Sequence, residues 1–281
     1  MNKLLFVIPS NMKNKEDVRR VLKSIDLSTD VSVIFINQSD EGLSLCAMYS
    51  SSLCNIHEIR TNEVIPLSKA RNLALDFLYN DDKRQKPDLI MFIDDDAWFP
   101  EETVQYLLTC EVKGMVLKTY DPLTQKSFRN NYGKRGIVKG YHVCCDIISI
   151  CMVLPYGILE KNKVKFNEKL GLGCEISQGE ESLFVYGLYR AGLNIFYDTH
   201  EIYHPYKKGF NIKNFYSLAY FWGVSSKKVS ILFGIPGIKL LIKYSVAVLL
   251  SIKDRRYMKL FIAVWRGFLD GRKDLKSTIG G

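Results

Sequence analysis

Between Leu4 and Phe99 the chain alternates between strand-like and helix-like hydrophobic patterns, and this alternation restricts its fold more than any other feature. Leu4 to Ile8 is a short continuous apolar run closed by Pro9, as expected of a buried strand. Val18, Val21, Leu22 and Ile25 follow at helical spacing, and Val31 to Ile36 is β-branched and bounded by polar residues. A β-α-β opening is therefore expected. The alternation repeats, with Leu67, Ala70, Ala74, Phe77 and Leu78 on one helical face, a charged loop from Asp81 to Pro87, and a further strand from Leu89 to Ile93. Pro100 suits the first position of a helix, where Glu101 and Glu102 complement the positive end of the dipole. Such a series implies a mainly parallel sheet covered by helices on both faces.

Beyond Gly114, strands are expected near Met115 to Thr119 and from His142 to Leu154, and a helix from Glu180 to Ala191 ended by Gly192. Residues 211 to 272 are mostly helical in pattern. The 281 residues thus divide into an α/β unit over 1–206, long enough to bury a full core, and a helical region over 207–281.

Charge follows the same division. The formal net charge is +9, yet residues 205 to 281 hold 15 Lys and Arg against three Asp, while residues 1 to 204 hold 24 basic against 27 acidic residues. A basic, apolar-rich tail suits a membrane surface. A nucleic-acid reader would spread its basic residues over the folded module and add a recognisable motif, and none is seen. Val229 to Ile252 is the one candidate span, but Lys239 and Lys243 near its centre cost about 2.5–3.5 kcal/mol each, which nearly cancels its apolar gain. Lying in the interface is the better solution: the lysines snorkel while Ile238, Leu241, Ile242 and Leu249 face acyl chains. A second stripe of Tyr257, Leu260, Phe261, Val264, Trp265 and Phe268 could do the same, and the competing arrangement packs both helices on the α/β unit. The apolar run before Pro9 is too short for a signal-peptide core, and the seven cysteines show no C-x-x-C spacing. Reduced thiols in a cytoplasmic protein are expected.

Asp94-Asp95-Asp96 carries the sharpest chemical signal, because it stands directly between an apolar strand and a helix. Three adjacent carboxylates repel one another, and at the carboxyl end of a strand a divalent cation makes them tolerable. Arg71, in Ser68-Lys69-Ala70-Arg71-Asn72, lies one helix–strand unit earlier, where its fork could pair with those carboxylates or with a diphosphate. Gly171-Leu172-Gly173 precedes Gly179-Glu180-Glu181 at a helix start, a place for dipole-complementing carboxylates or for a general base. His204-Pro205 is a further, weaker candidate.

These motifs, with Val7-Ile8-Pro9-Ser10-Asn11 ahead of them, occur in an order that resembles glycosyltransferase family 2 over about residues 1 to 206. The resemblance implies the GT-A fold, a Rossmann-like α/β architecture, here with a basic amphipathic helical extension. It implies that Pro9, Asn11 and the Asn37-Gln38-Ser39 loop cradle the base and ribose of a nucleotide-sugar and that Arg71 helps hold the donor site. Asp94 and Asp96 match the Asp-x-Asp pair that binds ribose and metal-diphosphate, with Asp95 between them in the nucleotide-sugar site. Glu181, or its neighbour Glu180, matches the catalytic base, and His204 is similar to a histidine that in some relatives approaches the metal. Two departures stand out. Asn37-Gln38 replaces the usual base-binding Asp, and Glu181 stands where Asp is frequent.

The expected protein is an inverting, metal-dependent (Mn2+ or Mg2+) transferase that moves one sugar from a nucleotide-sugar, UDP-linked by preference, to a lipid-linked or saccharide acceptor. It would work in cell-surface polysaccharide synthesis, peripheral on the inner face of the cell membrane and without nucleic acid. The Gln-x-x-Arg-Trp motif of processive polysaccharide synthases is missing, since Trp222 follows Tyr220-Phe221, which favours single transfer. The alternative is a GT-A-fold membrane-binding module without turnover. A nucleotidyltransferase would need a glycine-rich loop after the first strand, and Ser10 to Asn14 supplies none.

Overall fold

The structure, a computed structural model, describes residues 1–39, 45, 55–61, 63–81, 85–128, 136–205, 211–250 and 255–274, without the side chains of 250 and 255. The charged loop expected over 81–87 falls partly outside the described residues. The alternating half of the sequence folds as its periodicity demands. Strand β1 (Leu4–Ser10) is buried along its whole length and is followed by α1 (Lys15–Ile25), which buries Val18, Val21, Leu22 and Ile25. Then come β2 (Val31–Asn37), β3 (Asn55–Arg60), α2 (Leu67–Asn80), β4 (Leu89–Phe92) and α3 (Glu101–Thr109), for which Pro100 is the N-cap residue.

The second half contains β5 (Gly114–Asp121), the short β6 (Lys126–Ser127) and β7 (Gly136–Ile137), α4 (His142–Cys145), β8 (Met152–Pro155), α5 (Tyr156–Asn162), α6 (Glu180–Arg190) and β9 (Ile195–Tyr203). The strands form one sheet in the order β3-β2-β1-β4-β8-β5-β9-β7, with β6 beside β5. Pairs β1–β2, β1–β4, β2–β3 and β5–β9 are parallel, and β8 runs antiparallel between β4 and β5. The chain moves outward from β1 through β2 to β3 and then returns to place β4 on the other side of β1. That reversal opens a crevice at the carboxyl ends of β1 and β4, where ligands gather in open α/β sheets.

The single strand expected from His142 to Leu154 is instead α4, a 3-10 turn (Ser149–Cys151) and the short β8. Gly140 turns the chain at φ 61, and His142 and Asp146 meet one helical turn apart, Nδ1 to Oδ2 at 2.6 Å, a local pairing that a strand could not make.

The tail forms α7 (Ile212–Lys228), α8 (Gly234–Leu250) and α9 (Arg255–Lys273). Gly223, Gly267 and Gly271 let α7 and α9 cross with backbone against backbone: a Cβ at Gly267 would strike the Tyr216 carbonyl oxygen, and one at Gly271 that of Tyr220. Hydrogen bonds from Tyr216 to Asp270 (2.9 Å) and from Tyr220 to Asp274 tie the same two helices, and Trp265 Nε1 donates to Ser245 Oγ of α8 at 3.1 Å. Leu241, Leu260, Val264 and Phe268 pack with Phe221, Trp222 and Phe233 and with Leu170 and Tyr186 of the α/β unit. These four residues would face acyl chains in the interfacial arrangement and are buried instead, because α8 and α9 pack against α7 and against each other and turn this side inward. Ile238, Ile242, Val246 and Leu249 on α8 and Met258, Ile262, Trp265 and Leu269 on α9 remain exposed. Lys239 stacks on the Tyr141 ring, 4.0 Å from its centroid.

Candidate active site

The three aspartates turn immediately after β4. The amide of Ala97 donates to the Asp94 carbonyl at 3.2 Å, and a two-way backbone pairing of Trp98 with Tyr203 (2.9 and 2.8 Å) ties the turn to the end of β9. The residue after Tyr203 is His204, which this pairing delivers to the carboxylates: Nε2 lies 3.0 Å from Asp96 Oδ1 and 3.7 Å from Asp94 Oδ2. Burial alone would lower the His204 pKa, but hydrogen bonds and charge from Asp94 and Asp96 hold it up at about 9. Asp95 turns toward β1, where the Ser10 hydroxyl donates to its carboxylate. Burial raises its pKa, assisted by the charges of Asp96 and Asp94 and opposed by Ser10.

Asp94, Asp96 and His204 each offer one ligand atom within 4.8 Å of the others, and His204 Nδ1 is buried without a hydrogen-bond partner among the described residues. The two carboxylates supply hard oxygen donors that suit Mn2+ or Mg2+, and the imidazole adds a nitrogen donor that Mn2+ accepts more readily than Mg2+. The residues fit the group.

A cleft of about 410 Å³ opens over this cluster and is lined by Pro9, Ser10, Asn11, Gln38, Ile65, the three aspartates, Leu172, Gly173 and His204. Gln38 is pinned, its Oε1 accepting from the amide of Ile65 at 2.8 Å. Asn37 is buried beside the cleft and does not line it: its Nδ2 donates to Glu58 Oε1 at 2.7 Å, and its Oδ1 accepts from the Ser39 amide.

Arg71 stands on the buried face of α2 and is 1% exposed, so its charge must meet anions or hydrogen-bond acceptors inside the protein. It meets both. Nη2 donates to Ser149 Oγ at 2.6 Å and lies 3.5 Å from Asp94 Oδ1, while Nη1 lies 3.7 Å from Glu181 Oε1. Ser149 in turn donates to Glu181 Oε1 from its amide at 2.8 Å and from its hydroxyl. Asp94 and Glu181 are thus joined through one buried guanidinium.

Glu180 and Glu181 occupy the first turn of α6, where the dipole favours carboxylates. Neither lines the cleft. Glu180 packs against the bare backbone of Gly171, where a Cβ would come within 2.8 Å of its Cδ, and the adjoining Leu172 and Gly173 form one cleft wall. Burial, followed by the charge of Glu181, raises the Glu180 pKa to about 7 against the opposing pull of Arg71. Gly179, the N-cap residue, has φ 102, and a Cβ there would enter the ring of Phe221 on α7. Sequence reasoning gave no role to Ser149, to Ser10, which it quoted only within the opening motif, or to the Trp98–Tyr203 pairing. The first two are unremarkable serines in sequence, and the third depends on β9, a strand the reading did not identify.

By sequence, no family profile and no curated protein matches this chain. By structure, the similarity is clear. Residues 1–349 of S. aureus TarS in complex with UDP-GlcNAc superpose with a TM-score of 0.62 at 14% identity, over 96% of this chain and 81% of that one. The same TarS fragment in complex with UDP gives 0.56 at 14% identity, over 78% and 64%. GalNAc-T7 with UDP, GalNAc and Mn2+ gives 0.53 at 11% identity, over 98% of this chain and 56% of that one. The chain spans 54% of the longer TarS chain, also at 14% identity and with a TM-score of 0.54.

The class defined by sheet and crevice is a mostly parallel α/β protein with its site at the topological switch between β1 and β4. Within that class the fold is GT-A, as in TarS and GalNAc-T7.

Proposed function

We propose that this chain is a metal-dependent glycosyltransferase that moves one sugar from a nucleotide-sugar, UDP-linked by preference, to an acceptor hydroxyl with inversion at the anomeric carbon. The observation that carries the reading is the continuous link from Asp96 and His204 through Asp94 and Arg71 to Glu181, set at the sheet's switch point. A structural neighbour, the TarS fragment, was solved with UDP-GlcNAc, and GalNAc-T7 with UDP, GalNAc and Mn2+.

In this mechanism Pro9, Asn11 and Gln38 hold the base and ribose, and buried Asn37 shapes the loop beneath them. Asp94 and Asp95 orient the donor. Asp96 and His204 would hold Mn2+ or Mg2+, which when bound supplies positive charge to offset that developing on the departing diphosphate. Arg71 fixes the distance between donor side and base side. Glu181 accepts the proton of the attacking hydroxyl, a contribution typically of about 10²–10⁴-fold. Its side chain is 23% exposed, whereas Glu180 is buried under Gly171, which favours Glu181 as the base.

The acceptor in this reading is lipid-linked or saccharide, for cell-surface polysaccharide synthesis, and the tail meets the inner face of the cell membrane. Supporting it, Ile231–Leu249 has mean hydropathy 1.7 with 28% of the stretch buried, and the exposed stripes of α8 and α9 lie among lysines and arginines.

The test is nucleotide release from UDP-, GDP- and dTDP-sugars with Mn2+, Mg2+ or EDTA and a lipid-linked acceptor extract. The expected result is metal-dependent release from one donor, lost by at least about 10²-fold in Asp96→Ala and in Glu181→Gln, the second assayed below its own melting temperature because it also removes a partner of buried Arg71. No release from any donor, with wild type and Asp96→Ala alike, would leave a GT-A-fold membrane-binding module without turnover.

A further inference from the structure

A second groove, of about 540 Å³, lies between α7 and α9, away from the cleft over the aspartates. Its walls are apolar, formed by Ile212 and Ile262 with the Tyr216 ring, and Lys213, Lys259 and Arg266 stand at its rim. The acidic groups facing these cations are Glu175, which also lines the groove, and Asp270, which lies 3.6 Å from Arg266 Nε and accepts the Tyr216 hydroxyl. Even so, cations are in excess.

The groove is a built feature of the helical crossing. Gly267 brings α9 against the Tyr216 carbonyl at this level, so the two walls cannot drift apart without loss of the α7–α9 contact. On one side it runs into the exposed stripe of Met258, Ile262, Trp265 and Leu269. On the other it meets the loop that leads to the base helix: Glu175 lines it, Ser177 Oγ lies 3.4 Å from Asn214 Oδ1 of α7, and the same loop gives Leu172 and Gly173 to the donor cleft.

An apolar trough with a basic rim, open to an apolar surface at one end and to a catalytic loop at the other, matches an apolar chain that carries a phosphate. We propose that the α7–α9 groove binds the phosphate-bearing head and first chain carbons of the acceptor's lipid carrier. The proposal rests on the transferase reading and names its acceptor subsite. The chain lies along Ile212 and Ile262, and the phosphate meets Lys213, Lys259 and Arg266. The sugar beyond the phosphate then lies beside the loop that carries Glu175 and Ser177 and gives Leu172 and Gly173 to the donor cleft.

The test is calorimetric titration of the full chain with farnesyl monophosphate, beside farnesol and inorganic phosphate. Saturable one-to-one binding of farnesyl monophosphate is expected, with farnesol and phosphate at least about tenfold weaker. Lys259→Glu and Arg266→Glu should each weaken binding about tenfold or more, Lys259→Arg should keep wild-type affinity, and Ile262→Trp should block the trough, all with wild-type melting curves. Equal affinity for farnesol, or no loss in the charge-reversed variants, would overturn the proposal. So would equal binding to neutral vesicles doped with phosphatidylglycerol or with farnesyl monophosphate, because the groove would then be ordinary anionic-lipid surface. The two readings separate in the wild-type protein. Farnesyl monophosphate binding without nucleotide release from any donor sinks the transferase and keeps the groove, whereas metal-dependent release without such binding does the reverse.

Discussion

At the scale of the residue, the site is held by charge compensation. Arg71 is a fully buried cation answered by Asp94 and Glu181, and His204 is a partly buried imidazole answered by Asp94 and Asp96. Glu180 is the residue left at a disadvantage. Its pKa rises to about 7 from an ordinary 4.5 because burial penalises its ionised form. The folded protein therefore keeps this proton where the unfolded chain has lost it. Below about pH 4.5 the group costs nothing, between there and about pH 7 stability falls as pH rises, and above about 7 the full penalty persists. Glu180→Gln mimics the neutral acid and should be close to wild type in melting temperature at pH 4.5, yet more stable by about 3 °C or more at pH 8. Thermal melts across that range decide it; a constant difference at both ends would remove the buried-acid account. Sequence made most of these groups legible, because aspartates after an apolar strand and a glutamate pair at a helix start carry visible patterns. Ser149 had no such pattern, and its role exists only because the chain between Gly140 and Met152 folds as helix and turn.

At the scale of the element, legibility followed burial. β1, β2 and β4 are continuous apolar runs in the middle of the sheet and could be read directly. β3 is an edge strand of sequence Asn-Ile-His-Glu-Ile-Arg, half exposed and without strict alternation, so its identity comes from pairing with β2. β9 is held by β5 and β7 and by the Trp98–Tyr203 pairing, none of which is local in sequence. In the tail, helical spacing was plain, but the inward face was not, since a stripe facing acyl chains and a stripe facing a protein look alike in sequence. The glycines resolve this. Gly267→Val places two methyl groups against the Tyr216 carbonyl and should lower stability by about 1–3 kcal/mol or more, read as a lower urea midpoint. Leu269→Ala, two residues on and 44% exposed, should change it by no more than about 0.5 kcal/mol. Equal midpoints would show that the helices are not in backbone contact.

At the scale of the whole molecule, the composition break near residue 206 is not a mechanical break. Leu170, Tyr186 and Cys144 of the α/β unit share one hydrophobic cluster with Phe221, Phe233, Leu241 and Val264 of the tail. A chain cut after residue 206 would expose that cluster beside α6. It should associate on size-exclusion chromatography and melt at least about 5 °C below the full chain. A monomeric fragment with an unchanged melt would mean that the two parts fold independently. The contact between Gly179 and Phe221 carries this further. In recombination between relatives, exchange of C-terminal helices at the composition break would replace the wall against which α6 begins. A chimaera that keeps α6 intact needs its junction ahead of Gly179, so the tail helices and the helix that begins with Glu180 and Glu181 are inherited as one piece.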